Sequence, residues 1–114
     1  MLCVAAHWRA AYEWWAHARI ARESGLSDDI IEAIRTRAQP LLDDPGERLV
    51  HAYSRALLEE QQVSEQLYQD TVTALGETAV VELVVLLGYY SLVSMLLVSF
   101  EVPIPEGESP PFGD

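Results

Sequence analysis

Glu13 and His17 are the two residues whose types and spacing best suit chemistry. They are four positions apart in the stretch AAYEWWAHARIARESGLSDD, from Ala10 to Asp29. Four residues are about one helical turn, so on a helix both side chains lie on one face. A carboxylate beside an imidazole favours the protonated ring or orients its tautomer. The pair therefore suits a general base or proton shuttle, with His17 moving the proton and Glu13 orienting it. The same spacing is also typical of a simple surface ion pair.

Aromatic residues surround this pair. Tyr12, Trp14 and Trp15 lie between or beside its members, and aromatic side chains most often form core or subunit contacts. Neighbouring residues on a helix point about 100° apart, so the two tryptophans face different ways. We expect one to pack inside the subunit and the other to pack across an interface or to wall a pocket beside His17. Tyr12, Trp14 and the distant Tyr89 are the candidate substrate-binding residues.

No metal or cofactor site is expected from the residue pattern. Cys3 is the single cysteine, and His7 and His51 have no partners at metal-ligand spacing. The sequence contains no phosphate-binding loop, nucleophile elbow or dinucleotide fingerprint. One cysteine cannot form an internal disulfide or a CxxC redox pair, which fits a reducing, cytoplasmic setting. No basic segment followed by an apolar run marks a signal peptide.

The charge balance restricts the possible partners. The 114 residues form one domain by length and carry a formal net charge of −11, with arginine supplying all seven basic residues. Such a charge argues against nucleic acid, whose phosphates require clustered cations, and against docking on anionic lipid. Half of the residues are hydrophobic, and so large a share in a short chain favours help from partner subunits.

Helical patterns account for most of the chain, so we predict an all-α fold with about five or six helices. Residues 1–102 form the helical domain, and residues 103–114 form an extended tail, because four of the six prolines lie there. Ser27 and Ser64 are predicted N-caps, and Gly25 and Gly76 are predicted helix ends. The predicted helices are Met1–Trp8, Ala11–Ser24, a short one after Ser27, about Gly46–Gln61, one after Ser64 to about Leu75, and Glu77–Glu101.

The last helix contains an apolar run, Ala79–Phe100, in which only Glu82 is charged. Its length alone would suit a membrane span. Glu82 within the run and the acidic flanks, Glu77 and Glu101, count against that reading, because they offer no positive-inside signal. We therefore expect a soluble core helix, especially inside an oligomer, with a membrane anchor as the alternative. Glu82 and Tyr89 lie on one side of it, either as a polar strip or with Tyr89 lining a pocket that Glu82 supports.

Two stretches of the chain resemble the carboxymuconolactone decarboxylase family, which includes the alkylhydroperoxidase AhpD. They are YEWWAHARIARESGLSDDIIEAIR and LGETAVVELVVLLGYYSLVSMLLVSFEVPIPEG. Together they cover half of the chain, in order. The resemblance implies an AhpD-like helical fold, assembly as an obligate homo-oligomer, and a place for the long apolar helix in a shared core.

The same resemblance does not imply peroxidase activity. AhpD-like members use a CxxC motif with a histidine four residues after the second cysteine. Matching that histidine to His17 places the cysteine positions at Ala10 and Glu13, so both thiols are absent, and Cys3 lies outside the motif. Dithiol peroxidase chemistry needs a nucleophilic thiolate and a resolving thiol. The family's glutamate on the preceding helix would fall just before Met1, so the resemblance also implies an N-terminal piece that this sequence lacks.

The decarboxylase branch of the family needs no thiol. The resemblance implies that His17 could serve as general acid or base on a small lactone or organic acid, with Glu13 orienting it. An anionic substrate would need an arginine, and Arg9 or Arg19 could supply one. We therefore predict a lyase-like protein without a cofactor. The alternative is a non-catalytic or small-molecule-binding family member that has lost the dithiol peroxidase chemistry.

Overall fold

The computed structural model describes residues 1–113, and these contain helices but no strand. The all-α prediction is therefore confirmed, with six α-helices and one π-helical turn. The predicted tail, 103–114, ends in Asp114, which lies outside the described residues. The elements are α1 Leu2–Trp8, α2 Ala11–Glu23, α3 Asp28–Arg35, α4 Pro45–Arg55, the π-helical turn Ala56–Glu60, α5 Glu65–Leu75 and α6 Glu77–Ser99.

Local chemistry explains where several helices begin and end. The side-chain oxygens of Ser27, Asp44 and Ser64 accept hydrogen bonds from backbone N–H groups at 3.3, 2.9 and 3.1 Å. These bonds satisfy N–H groups that have no partner within the first turn. Gly25 and Gly76 adopt φ values of 97° and 92°, which side chains rarely tolerate. The predicted caps at Ser27 and Ser64 and the predicted ends at Gly25 and Gly76 are confirmed.

The sequence predicts the fourth helix as one continuous helix to Gln61, and the structure differs from this prediction. Regular α-helix stops at Arg55, and the next five residues form a π-helical turn that ends at Gln61 with φ 54°. Within this wider turn, Glu59 accepts hydrogen bonds from both Arg55 and Arg37. Apolar periodicity does not reveal such a turn. Glu59 is bound there by Arg37, which lies in the loop after α3 and is distant along the same chain.

The centre of the fold is α1, which contacts α2, α3, α4 and α6. Its Val4 and Ala5 have no exposed surface, and its Ala6 is 2 % exposed. Short side chains let neighbouring helices approach α1 closely, which keeps the interior densely packed. The main core cluster consists of Leu2, Ala5, Ala6, Trp14, Ala18 and Ile31.

The long helix α6, expected as a core helix especially inside an oligomer, is mostly exposed within the single chain. It contacts α1, α2 and α5 along one side, where Val80, Leu87 and Ser94 are buried. Only 17 % of its most apolar 18-residue window is buried, and its length and composition would also suit a membrane span. A helix that is apolar all round gives no sequence signal for which side packs inward. The structure therefore assigns the interior to the shorter α1.

The C-terminal tail is non-helical, as predicted, and folds back over the helices. Phe112 packs against the core cluster. Arg35 donates a hydrogen bond to the carbonyl oxygen of Pro111 at 2.6 Å, and Arg9 donates one to that of Gly113 at 2.7 Å. The tail therefore forms part of the packed subunit.

Candidate small-molecule site

The first turns of α2 bring Glu13 and His17 together as their spacing predicts. The Nδ1 atom of His17 lies 2.7 Å from Oε1 of Glu13 and 3.0 Å from the backbone oxygen of Glu13. The side chain of Glu13 is 5 % exposed and that of His17 is 15 % exposed. Glu13 is therefore buried and His17 is partly buried, unlike the solvated surface pair that the same spacing often forms.

The two oxygens of Glu13 near Nδ1 determine which nitrogen of the His17 ring carries the hydrogen. A carbonyl oxygen only accepts hydrogen bonds, so Nδ1 of His17 carries the hydrogen and donates it to the backbone of Glu13. Oε1 of Glu13 stays at ion-pair distance without an aligned hydrogen bond. In the neutral ring, Nε2 of His17 is then the nitrogen without a hydrogen, and it can accept a proton.

A tyrosine of α6 covers the ring of His17. The Tyr90 and His17 rings meet edge to face, with 5.2 Å between centroids, and Tyr89 meets Tyr90 in the same manner at 5.2 Å. Tyr89, the tyrosine that the sequence analysis selected, is 56 % exposed. Of these two neighbours on α6, Tyr90 is the one beside the histidine.

A groove of about 590 Å³ opens beside His17, between α1, α2, α3, α4 and α6. This volume lies within the range of ordinary small-molecule sites. Its polar side chains include His17 and His51, and carboxylates of Asp44 and Glu47 lie at the start of α4. Apolar side chains form most of its walls, among them Ile20, Leu26, Ile30, Val50, Leu83 and Leu86.

His51 is a site residue that the sequence analysis missed. It is 7 % exposed, lines the groove, and makes no side-chain hydrogen bond within residues 1–113. Burial lowers the pKa of His51, and the nearby Arg55 lowers it further, so the neutral ring is favoured. A signal was present: Glu47, His51 and Ser54 lie at i, i+4 and i+7, and all three line the groove.

Cys3 and His51 both line this groove and a smaller cavity of about 20 Å³. Burial raises the pKa of the Cys3 thiol. The protonated thiol is a weak nucleophile, because the thiolate is the reactive form. The geometry therefore favours a packing role for Cys3.

The other predicted substrate-binding residues lie away from the groove. Trp14 is 4 % exposed and belongs to the core cluster. Tyr12 packs against Trp15 with 5.7 Å between ring centroids. Neither these residues nor Tyr89 line the groove beside His17. Their contact with a substrate stays a prediction.

The two arginines suggested for an anionic substrate also lie elsewhere. Arg9 binds the carbonyl oxygen of Gly113 and stacks over the ring of Phe112. Arg19 stacks over the ring of Trp15 at 4.9 Å and lines a separate cleft beside the C-terminal tail. Residues 17 and 19 point to nearly opposite sides of a helix, which explains the separation.

Within residues 1–113, no three His, Cys, Asp or Glu side chains are grouped so that they could hold a metal ion. No protein-family model, curated protein or solved structure matches the chain.

Proposed function

We propose that this chain is a carboxymuconolactone decarboxylase-like protein that acts on a small lactone or organic acid by proton transfer at His17. The observation that supports this most is the buried Glu13–His17 pair, in which the histidine opens onto a groove of ligand size. The resemblance of the two long sequence stretches to that family supports the same reaction class.

In the proposed mechanism, Glu13 fixes the histidine in two ways. Its backbone oxygen accepts the hydrogen of Nδ1, which leaves Nε2 of His17 free to take a proton from the substrate. Its carboxylate, 2.7 Å away, stabilises the imidazolium that forms. Apolar surroundings strengthen this interaction, because they exclude the water that would screen it. The proton then returns from Nε2 to the product.

A test compares the wild type with His17→Gln and Glu13→Gln. The assay follows loss of CO₂ from lactone acids and exchange of solvent deuterium into lactones and organic acids. We expect His17→Gln to lower the rate by about 10²–10⁴-fold. Glu13→Gln should lower it less, because its backbone oxygen still orients the ring. Arg19→Gln, on the other side of α2, is the control and should leave the rate unchanged. Equal rates in the wild type and His17→Gln would overturn the proposal.

Binding without turnover is the second candidate function. The mainly apolar walls of the groove favour it, since they provide affinity without further reactive groups. Calorimetric binding of a ligand that the wild type does not convert, with equal affinity in His17→Gln, would select this candidate.

We also propose that the protein self-associates through α6. We define the α6 apolar face as its exposed side chains Val81, Val84, Val85, Leu86, Tyr89, Leu92, Met95, Leu96 and Val98. So large a contiguous apolar surface usually marks an interaction site. Glu82, exposed on the same helix, favours a second protein copy over a lipid interior, where a charge is costly.

The absolute mass in detergent-free buffer tests this assembly. Light scattering on a sizing column should give a discrete multiple of the 12.7 kDa chain. Material that aggregates in buffer and becomes uniform only with detergent would contradict self-association and favour a membrane anchor.

A further inference from the structure

We propose that the groove lined by His17 and His51 selects an uncharged, largely apolar carbonyl compound and discriminates against carboxylates. This inference names the ligand class for the site of the proposed function and rests on that site being the one used. It narrows the proposed substrates to neutral lactones, which would undergo proton transfer at His17 without loss of CO₂, because a free acid would be a poor ligand.

The charges around the groove oppose the binding of an anion. Its two ionisable carboxyl side chains, Asp44 and Glu47, are both exposed residues at the start of α4, and no arginine lines it. An anion entering an apolar groove loses hydration and needs a cation or several hydrogen bonds to compensate. Here it would meet two like charges.

The positions of the arginines are the second argument, since none of the seven lines the groove and each is held by another partner. Arg37 and Arg55 both bind Glu59, and Arg48 donates to two carbonyl oxygens of the loop before α4. The remaining partners are Gly113 for Arg9, Trp15 for Arg19, Asp28 for Arg22, and Glu32 with Pro111 for Arg35. Moving a guanidinium into the groove would break one of these contacts.

The two imidazoles are the third argument, because they provide neutral hydrogen-bonding groups in an otherwise apolar space. His51 lines the groove and makes no side-chain hydrogen bond within residues 1–113, so its ring is available to a ligand there. A neutral imidazole has one N–H donor, which suits a carbonyl oxygen. His17 also lines the groove, and its Nε2 is an acceptor when Nδ1 carries the hydrogen. A neutral carbonyl compound with an apolar body satisfies both features.

Matched probe pairs test this selection by titration calorimetry. Methyl benzoate is compared with benzoate, and methyl hexanoate with hexanoate, at pH 7.5. We expect each ester to bind the wild type at least about tenfold more tightly than its acid. His51→Leu should weaken ester binding, because it removes the donor while keeping an apolar side chain.

Reversing the charge of Glu47 tests the discrimination against carboxylates more directly. Glu47→Arg places a cation at the groove and should raise carboxylate affinity by about tenfold or more. Glu65→Arg, the same change at the start of α5 and outside the groove lining, should leave both affinities unchanged. Circular dichroism of each variant checks that it is folded. A Glu65→Arg protein that gains the same carboxylate affinity would show a general charge effect and overturn the proposal.

The outcomes also separate this inference from the proposed function. Benzoate binding as tightly as its ester would overturn the inference but leave proton transfer at His17 open to its own assay. Ester binding without any turnover would support the inference and count against catalysis. Failure of all four probes to bind would mean that the groove is not a small-molecule site, and would overturn the inference.

Discussion

The ring of Phe112 lies against the ring of Trp14, with 5.8 Å between centroids and 66° between the ring planes. Trp14 is 4 % exposed and belongs to the core cluster, whereas Phe112 comes from the non-helical tail. The guanidinium of Arg9 lies 5.4 Å from the centroid of the Phe112 ring. The C-terminal tail therefore covers a side of the core that the helices leave open.

Replacing Phe112 with alanine should destabilise the subunit. We expect the free energy of unfolding to fall by about 1–2 kcal/mol, less than for a fully buried ring because Phe112 is half-buried. Urea denaturation followed by circular dichroism measures the change. Leu41→Ala is the control, since Leu41 is 89 % exposed and should contribute little. Equal stability of Phe112→Ala and the wild type would show that the tail does not support the core.

The N-cap of α4 allows a comparison of two adjacent aspartates. The side chain of Asp44 accepts a hydrogen bond from the N–H of Glu47, so Asp44→Ala should lower the free energy of unfolding by about 1 kcal/mol. Asp43→Ala removes an equal charge one residue earlier, where the side chain caps no helix. A similar loss in both variants would attribute the effect to charge and not to capping.

His51 should make the stability depend on pH near neutrality. Its pKa in the folded protein is below 6.5, so between that pKa and 6.5 the unfolded chain binds more protons. The contribution of His51 to the free energy of unfolding is therefore complete above about pH 6.5. It is lost as the pH falls through the pKa of His51 in the folded protein. Urea midpoints at several pH values measure this. His51→Leu should flatten the profile, with a residual slope from His7, whose pKa burial also lowers. An unchanged slope in His51→Leu would contradict the prediction.

Glu59 should make the stability depend on pH in a more acidic range than His51 does. Hydrogen bonds from Arg55 and Arg37 lower the pKa of this carboxyl to about 2. Its contribution to stability is present above the unfolded value near 4.5 and is lost as the pH falls through about 2. The stability difference between the wild type and Glu59→Gln should therefore shrink as the pH falls from 4.5 to 2. Glu60→Gln, at the exposed neighbouring position, should show no such trend.

A charge on the α6 apolar face should weaken self-association. Val85 is 62 % exposed in the single chain, so Val85→Glu should not disturb the subunit interior. In an interface the new carboxylate would be buried without a partner, which is costly. We expect a smaller mass by light scattering at equal concentration. Thr73→Glu, at an exposed position of α5, is the matched control. An unchanged oligomer in Val85→Glu would place the interface elsewhere.

Local patterns were sufficient to predict most helix ends. Ser27, Ser64, Gly25 and Gly76 act through hydrogen bonds or backbone angles within a few residues, so each is readable without knowledge of the fold. The π-helical turn was missed because Glu59 has a partner in Arg37, 22 positions away. Such long-range contacts leave no trace in the helical periodicity of a segment.

The sequence by itself determined the all-α class and the pairing of Glu13 with His17, because both follow from spacing along one helix. Only the tertiary structure decided that this pair is buried, that Tyr90 and not Tyr89 covers it, and that His51 shares its groove. It also placed the interior at α1 instead of the more apolar α6. The physical reason is that burial depends on which helices pack together, and an alanine-rich segment that permits close approach can occupy the centre ahead of a longer, more hydrophobic one.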